Sequence, residues 1–305
     1  MGGRHRDARA ARIAGARPVR QLRQGDERMR ELAGKVAVVT GGGSGIGRGM
    51  ALAFAEAGMH VAIGDIDRQA AQDVLREIER HGVRALALQL DVTDRDAVYA
   101  FAERIFAEFG AVHLLCNNAG VVTFDPMDKI KDEDWRWVCA VNLDGVVHGL
   151  QAFLPRMKAQ PGEKHVVNTA SIAGVAPHTE IAPYVASKYA VVGISETLYA
   201  ERDQHGIGSS VLCPGNVRTK IVSSGRNRQD ALGGPDGREH PDVQRQIEAG
   251  MDPLEVGRIV RQAVLDDELY IFTHSDTRRI TEERFQRILA AFDRCDERSR
   301  STSAK

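Results

Sequence analysis

The sequence predicts an α/β fold: a doubly wound parallel sheet with helices on both faces. Three observations carry that prediction. Short β-branched runs alternate along most of the chain with longer segments of helical apolar period. The first such run passes through a glycine-rich turn directly into a helical pattern. Gly41, Asp65, Asp91 and Asn117 all fall at the C-terminal ends of runs, where open parallel sheets hold their ligands.

The chain has 305 residues, with 41 Lys and Arg against 42 Asp and Glu, a net charge of -1. That length accommodates one large α/β domain or two smaller ones, with a substantial core. The near-neutral balance argues against a nucleic-acid binder driven by phosphate contacts. No run of about 18 apolar residues is present, so no membrane span is expected. Cys116, Cys139, Cys213 and Cys295 are scattered, without zinc-like spacing, and the ten histidines show no metal pattern. No metal is expected, and a reduced, cytoplasmic protein is.

Residues 1–33 are Arg-rich, poor in large apolar side chains and serine-free, and they carry Asp7, Asp26, Glu27 and Glu31. Neither a secretory signal nor a transit peptide has that composition. The expectation is a disordered extension. Met29, just before the first strand, is a second possible start of translation.

Lys35 to Thr40 reads as a buried parallel strand. It runs into Gly41-Gly42-Gly43-Ser44-Gly45-Ile46-Gly47, followed by helical spacing through Met50, Ala53, Phe54 and Ala57. Strand, glycine turn and helix form the context that a dinucleotide pyrophosphate requires: the glycines permit close backbone approach, and the helix N-terminus offers free N–H groups. The second strand, His60 to Asp65, ends in an acid about 20 residues on, where a carboxylate receives adenosine ribose hydroxyls and repels a 2′-phosphate. With Ile66 after Asp65 and no base before Gly45, NAD is expected over NADP. Asp67 reads as the N-cap of the next helix. Val83 to Leu90 and Val112 to Cys116 are the third and fourth strands, separated by a helix through Val98, Phe101, Ile105 and Phe109.

Trp135 to Met157 is a long helical pattern with Asn142 in its interior. His165 to Thr169 is the fifth strand, followed by Ser171. In the helical run from Ala182 to Thr197, Tyr184 and Lys188 stand four apart and therefore share one face. An ordinary phenol has a pKa of about 10, and a cation beside it favours the phenolate.

Together these motifs resemble the short-chain dehydrogenase/reductase family over residues 34 to 273. They are Thr40-Gly41-x-x-x-Gly45-Ile46-Gly47, Asp91-Val92, Asn117-Asn118-Ala119-Gly120, Asn142, Ser171, Tyr184 with Lys188, and Pro214-Gly215-x-Val217-x-Thr219. The resemblance implies a Rossmann-like sheet of about seven strands in a single domain without a separate substrate domain. It implies hydride transfer with nicotinamide, with Tyr184 as general acid/base and Lys188 tuning the phenol and holding the nicotinamide ribose. Ser171 would bind the reacting oxygen. Asn142 would sit at a helix kink and support a proton relay. The cofactor contacts it implies are Gly41, Ser44, Gly45, Ile46, Gly47, Asp65, Asp91, Val92, Asn118, Ala119, Gly120, Tyr184, Lys188, Pro214, Gly215, Val217 and Thr219. It also implies a homo-oligomer, a tetramer or dimer, through the helices bearing Asn142 and Tyr184.

Val211 to Cys213 is the sixth strand. Residues 221–250 are polar and turn-rich and read as a mobile substrate lid. Asp252-Pro253 opens a helix to Leu265, and Leu269 to Thr273 is the last strand. From Asp276 an amphipathic helix aligns Ile280, Phe285, Ile288, Leu289 and Phe292, a stripe expected to be core or subunit contact. Val121, Val122, Ile172, Ala176, Pro177, His178, Ile181 and Val217 are expected around the substrate. This mostly apolar lining suits a secondary alcohol or ketone, with Arg218 the one group able to take an anion and His178 reading best as a solvent-facing loop residue. Two other readings compete: an NADPH-dependent carbonyl or 3-ketoacyl reductase, and a non-catalytic NAD-binding regulatory protein. The second would be expected to lose Tyr184 or Lys188. Nucleic-acid binding by the basic N-terminal segment is a weaker fourth.

Overall fold

The computed structural model describes residues 29–303; the extension expected to be disordered lies, up to residue 28, outside the described residues. The strands are β1 (Val36–Thr40), β2 (His60–Asp65), β3 (Ala85–Gln89), β4 (Leu114–Asn117), β5 (His165–Thr169), β6 (Gly208–Cys213) and β7 (Tyr270–Phe272). They form one sheet in the order β3-β2-β1-β4-β5-β6-β7, and every pairing is parallel. The helices are α1 (Gly45–Glu56), α2 (Arg68–Glu79), α3 (Arg95–Phe109), α4 (Asp132–Cys139), α5 (Gly145–Ala159), α6 (Ala182–Ala200), α7 (Arg202–His205), α8 (Pro241–Glu248), α9 (Pro253–Asp266) and α10 (Arg278–Ser303). This is the Rossmann-like sheet of seven strands that the motifs imply. Strand order reverses between β1 and β4, which opens a crevice at their C-terminal ends.

Successive residues of a strand point to opposite faces, and the core divides accordingly. Val38, Leu115, Val166 and Val211 pack with α3, α5 and α6 on one side. Ala37, Val39, Leu114, Cys116, Val167 and Leu212 pack with α1, α2 and α9 on the other. Met29 and Leu32, ahead of β1, are buried in this second layer. Gly49 and Gly257 bring α1 and α9 into backbone contact: a Cβ on Gly49 would lie 1.9 Å from the Pro253 carbonyl oxygen, and one on Gly257 2.2 Å from that of Gly49.

The predicted caps form. The Asp67 carboxylate accepts from the Ala70 N–H at 3.0 Å, and Asp252 accepts from Leu254 at 2.8 Å with Pro253 in the first turn. The long helix around Asn142 is interrupted by a π turn at Ala140–Asp144, where the Gly145 N–H reaches the Ala140 carbonyl. By length and composition Asp132–Ala159 passes the test for a membrane span, which the sequence reading did not anticipate. Over half of its apolar window, 56%, is buried inside this fold, as in a core helix.

Two expectations change. The stripe on α10 is not core in this chain: Phe285 is 51%, Leu289 61% and Phe292 68% exposed. The segment 221–250 is an ordered excursion rather than a plain loop, with 3-10 turns at Ile221–Asn227 and Asp230–Leu232 followed by α8. Its ends are stitched by a parallel bridge between Val217 and Met251. Its middle is pinned by a buried ion pair, Arg228 Nη1 to Asp134 Oδ1 at 2.7 Å, with the guanidinium over the Trp137 ring.

Candidate active site

One cleft of about 390 Å³ runs along the C-terminal ends of the strands. Its floor at one end is the glycine turn. Gly41 has φ +65°, and a Cβ there would stand 2.9 Å from Ala119 Cα; a Cβ on Gly47 would lie 2.1 Å from the Gly41 carbonyl oxygen. Glycine is therefore required for the backbone to pass this closely beside β4. Thr40 ties the two loops together. Its hydroxyl accepts from Asn118 N–H at 2.9 Å and Ala119 N–H at 3.2 Å, and its carbonyl accepts from Asn118 Nδ2 at 3.0 Å.

Asp65, at the end of β2, accepts from Gly43 N–H at 2.8 Å and Asp67 N–H at 2.9 Å. Burial holds its carboxyl above the usual range, while those two N–H groups pull it down. Asp91 follows β3. Its Oδ1 accepts from the Thr93 N–H and hydroxyl, and its Oδ2 accepts from Gln229 Nε2 at 2.7 Å. A rigid, glycine-lined cradle at a helix N-terminus, flanked by a carboxylate, suits a dinucleotide.

At the other end stand Ser171, Tyr184 and Lys188. Tyr184 and Lys188 emerge from one face of α6, as their spacing predicts. Lys188 is 3% exposed. Its Nζ donates to the Thr169 carbonyl at 2.8 Å and lies 5.4 Å from the centroid of the Tyr184 ring. Burial lowers the Lys188 pKa to about 8. Burial also raises that of Tyr184, and a hydrogen bond with the Ser171 hydroxyl pulls it down. The ammonium, on the same helix face as the phenol, is directed at the Thr169 carbonyl. Ser171 also accepts from Ala173 N–H at 3.1 Å, which fixes its rotamer beside the phenol.

Asn142 is fully buried and does not line the cleft. The π turn aims its amide at the neighbouring loop and helix. Its Oδ1 accepts from Val121 N–H at 2.8 Å, and its Nδ2 donates to the Val121 carbonyl at 3.0 Å and to Ser187 Oγ at 3.1 Å. Gly47 is likewise behind the cleft, as a packing glycine. The other residues named from the sequence for catalysis or cofactor contact all line it.

The substrate end differs in detail from expectation. Val121, Val122, Ile172, His178, Ile181 and Val217 line it; Ala176 and Pro177 do not. His178 is both exposed and on the cleft wall. Arg218 points away and pairs with Asp252 at 2.7 Å, so it is not an anion site in the cleft. Sequence reasoning missed Phe124, Trp137, Val141, Val222, Val243 and Ile247, which complete the apolar walls, and Arg226, Asn227 and Gln229, which roof the other end. No local motif marks them, since distant segments contribute them. A buried polar ladder was missed for the same reason: Asn117 Nδ2 donates to Asn168 Oδ1 at 2.9 Å, and Asn168 Nδ2 to Ser195 Oγ at 3.0 Å. Among the described residues no three His, Cys, Asp or Glu side chains gather into a metal-holding group.

Comparison with known proteins agrees with this geometry. The short chain dehydrogenase family model matches residues 35–230. A C alpha-dehydrogenase of Sphingobium sp. is 32% identical over 266 residues, covering 86% of this chain and 87% of that protein. A cyclohexanol dehydrogenase of Acinetobacter sp. is 33% identical over 238 residues, covering 78% of this chain and 90% of that protein. The crystal structure of a short-chain dehydrogenase/reductase from Burkholderia phymatum in complex with NAD is 35% identical, with a TM-score of 0.83, and covers 86% of this chain and 97% of that one. A parallel sheet with its glycine cradle, a Ser, Tyr and Lys in one cleft and these relatives converge on one conclusion: the chain belongs to the short-chain dehydrogenase/reductase family, as an oxidoreductase.

Proposed function

We propose that the protein is an NAD-dependent dehydrogenase that interconverts a secondary alcohol and a ketone on a largely apolar body, with Tyr184 as general acid/base. The observation that carries this reading is that Ser171, Tyr184 and Lys188 share one cleft with the glycine cradle and Asp65. When bound, the nicotinamide ring supplies or accepts the hydride. Gly41, Ser44, Gly45, Ile46 and Thr219 hold the pyrophosphate, Asp65 the adenosine ribose, and Pro214, Gly215 and Val217 the nicotinamide side. In oxidation Tyr184 takes the proton of the substrate hydroxyl as a phenolate, and in reduction it returns one. Ser171, which draws the Tyr184 pKa down, orients the same oxygen and steadies its charge. Lys188, protonated below about pH 8, places a positive charge beside the phenol and favours its ionised form. Asn142 holds the Val121 loop against α6 through Ser187 and so keeps the floor of the site in register.

The substrate class follows from the walls. Val121, Val122, Phe124, Ile181, Val222, Val243 and Ile247 are apolar, and Arg218 is turned away. The segment 221–250 serves as the substrate lid. One observation favours NADP instead: Arg226 of this segment lines the adenosine end and acts electrostatically on Asp65. Its Nη1, however, is engaged by the Ser223 carbonyl at 2.7 Å, and Asp65 is itself held at the end of β2 by the Gly43 and Asp67 N–H groups. The test is initial-rate kinetics with NAD and NADP over cyclic, aryl and aliphatic secondary alcohols. Expected is a kcat/KM at least about ten-fold higher with NAD, a difference of about 1.4 kcal/mol. A preference for NADP, or turnover restricted to anionic substrates, refutes the reading.

A further inference from the structure

After β7 the chain enters α10, which keeps little hold on the body of the fold. At its entry the Thr277 hydroxyl donates to the His274 carbonyl at 3.0 Å. Further along, the Arg284 guanidinium lies over the Tyr189 ring of α6. Beyond that, every residue from 291 to 302 is exposed. The ion pairs Arg278–Glu282 and Arg279–Glu283 support only the first turns. A helix of about a dozen residues is marginal in water by itself, and most helical stability comes from burying an apolar face. Here that face, with Phe285, Ile288, Leu289 and Phe292, is left exposed by the described residues.

The sequence of α10 says what fits against it. Phe285, Ile288, Phe292 and Cys295 follow one another at steps of three, four and three. That is the a/d alternation of a coiled-coil seam, which takes a second helix of the same spacing. The charges beside the seam are sorted by sign. At 3.6 residues per turn, Glu282, Asp293 and Asp296 fall on one flank, and Arg284, Arg287, Arg294 and Arg298 on the other. Two copies running parallel about a two-fold axis set the acidic flank of each against the basic flank of the other. An antiparallel pair would set acid on acid and base on base, as would be unfavourable between like charges. We propose that α10 is an assembly element that pairs in parallel with α10 of a second copy of this chain, through Phe285, Ile288, Phe292 and Cys295. This seam is separate from the contact through the helices bearing Asn142 and Tyr184 that the family resemblance implies.

Cys295 supplies the test. It is free and exposed, whereas Cys116 and Cys213 are buried. A parallel two-fold brings the same seam residue of each copy face to face, within reach of a disulfide. An antiparallel pair centred on the stripe holds the two thiols at opposite ends. The full-length protein at micromolar concentration is treated with diamide, which takes up the two hydrogens released as two thiols join, and is run on a non-reducing gel. A covalent dimer reversed by reductant is expected, and Cys295→Ser should abolish it. Phe285→Gln with Phe292→Gln, which keeps Cys295 and good helix formers, should lose the dimer too, with an unchanged melting temperature because both positions are exposed. Absence of a covalent dimer in the wild type overturns the proposal. A dimer formed equally by the double variant also does, since exposed thiols would then be colliding at random. A dimer that appears only when residues 1–28 are deleted would assign the stripe to that segment instead, and sedimentation with anionic lipid vesicles without any dimer would assign it to a lipid surface; both are refutations.

Discussion

Lys188 directs its ammonium at the Thr169 carbonyl, 2.8 Å away, and keeps it 5.4 Å from the centre of the Tyr184 ring. The two side chains share a helix face, yet the charge is anchored to β5 rather than to the phenol. The lysine is a pillar between strand and helix as well as a charge beside Tyr184. Tyr184 therefore depends on its neighbours for both position and ionisation.

Removing the phenol oxygen isolates the chemistry from the binding. Tyr184→Phe keeps the ring against Lys188 and loses only the hydroxyl. Turnover should drop by at least about a thousand-fold, within the usual reach of general acid–base catalysis. NAD affinity, measured by calorimetry, should stay within a few-fold of wild type. Retention of substantial turnover by this variant would falsify the assignment of Tyr184.

Burial of Lys188 has a cost in stability that depends on pH in a defined direction. The folded pKa is about 8 and the free value 10.5, so between these values the unfolded chain holds a proton the folded chain has lost. Stability should rise with pH across that window, and the full penalty applies below it. Lys188→Met should therefore stabilise the cofactor-free protein at pH 7 by about 1–3 kcal/mol, the lost Thr169 hydrogen bond offsetting part of the gain. The advantage should vanish near pH 10.5, while turnover is lost at every pH. Thermal melts of both proteins from pH 7 to 10.5 check this, and a constant gap across the range contradicts it.

The Arg228–Asp134 pair fixes where the excursion over the cleft lies. Both side chains are nearly inaccessible, at 4% and 1%. Breaking such a pair leaves the buried Asp134 carboxylate with only Arg238, 3.6 Å away, which costs up to about 3–5 kcal/mol, whereas replacing both partners with apolar groups is far milder. Arg228→Met alone should lower stability by that order and make residues 221–250 sensitive to limited proteolysis. The double variant Arg228→Met with Asp134→Leu should recover most of the loss. Chemical denaturation provides the energies, and no recovery in the double variant would show that the pair acts through something other than its charge.

The sheet was legible in the sequence because each of its signals is local. A β-branched run, a glycine turn and a capped amphipathic helix each sit within a dozen or so residues, and their order identifies the family. The spacing of Tyr184 and Lys188 works the same way, through helical geometry alone. Gly41, Asp65, Asp91 and Asn118 all line the cleft because strand ends of a parallel sheet converge on one crevice. The apolar stripe on α10 was visible too, but periodicity says only that a face exists, not what it meets; within one chain it is not core.

By itself, then, the sequence determined the topology, the cradle and the Ser171, Tyr184 and Lys188 side chains that share one cleft with it. The tertiary structure decided what distant segments do to one another. It set Gly49 against Gly257 in a backbone contact that neither neighbourhood announces. It turned Arg218 away to Asp252 and Lys188 toward Thr169. It also brought Gln229 to Asp91, 138 residues earlier in the chain. The physical reason is that propensity and pattern act over a few residues. The direction of a buried polar group is set by which donors and acceptors the completed fold leaves within 3 Å of it, the reach of a hydrogen bond.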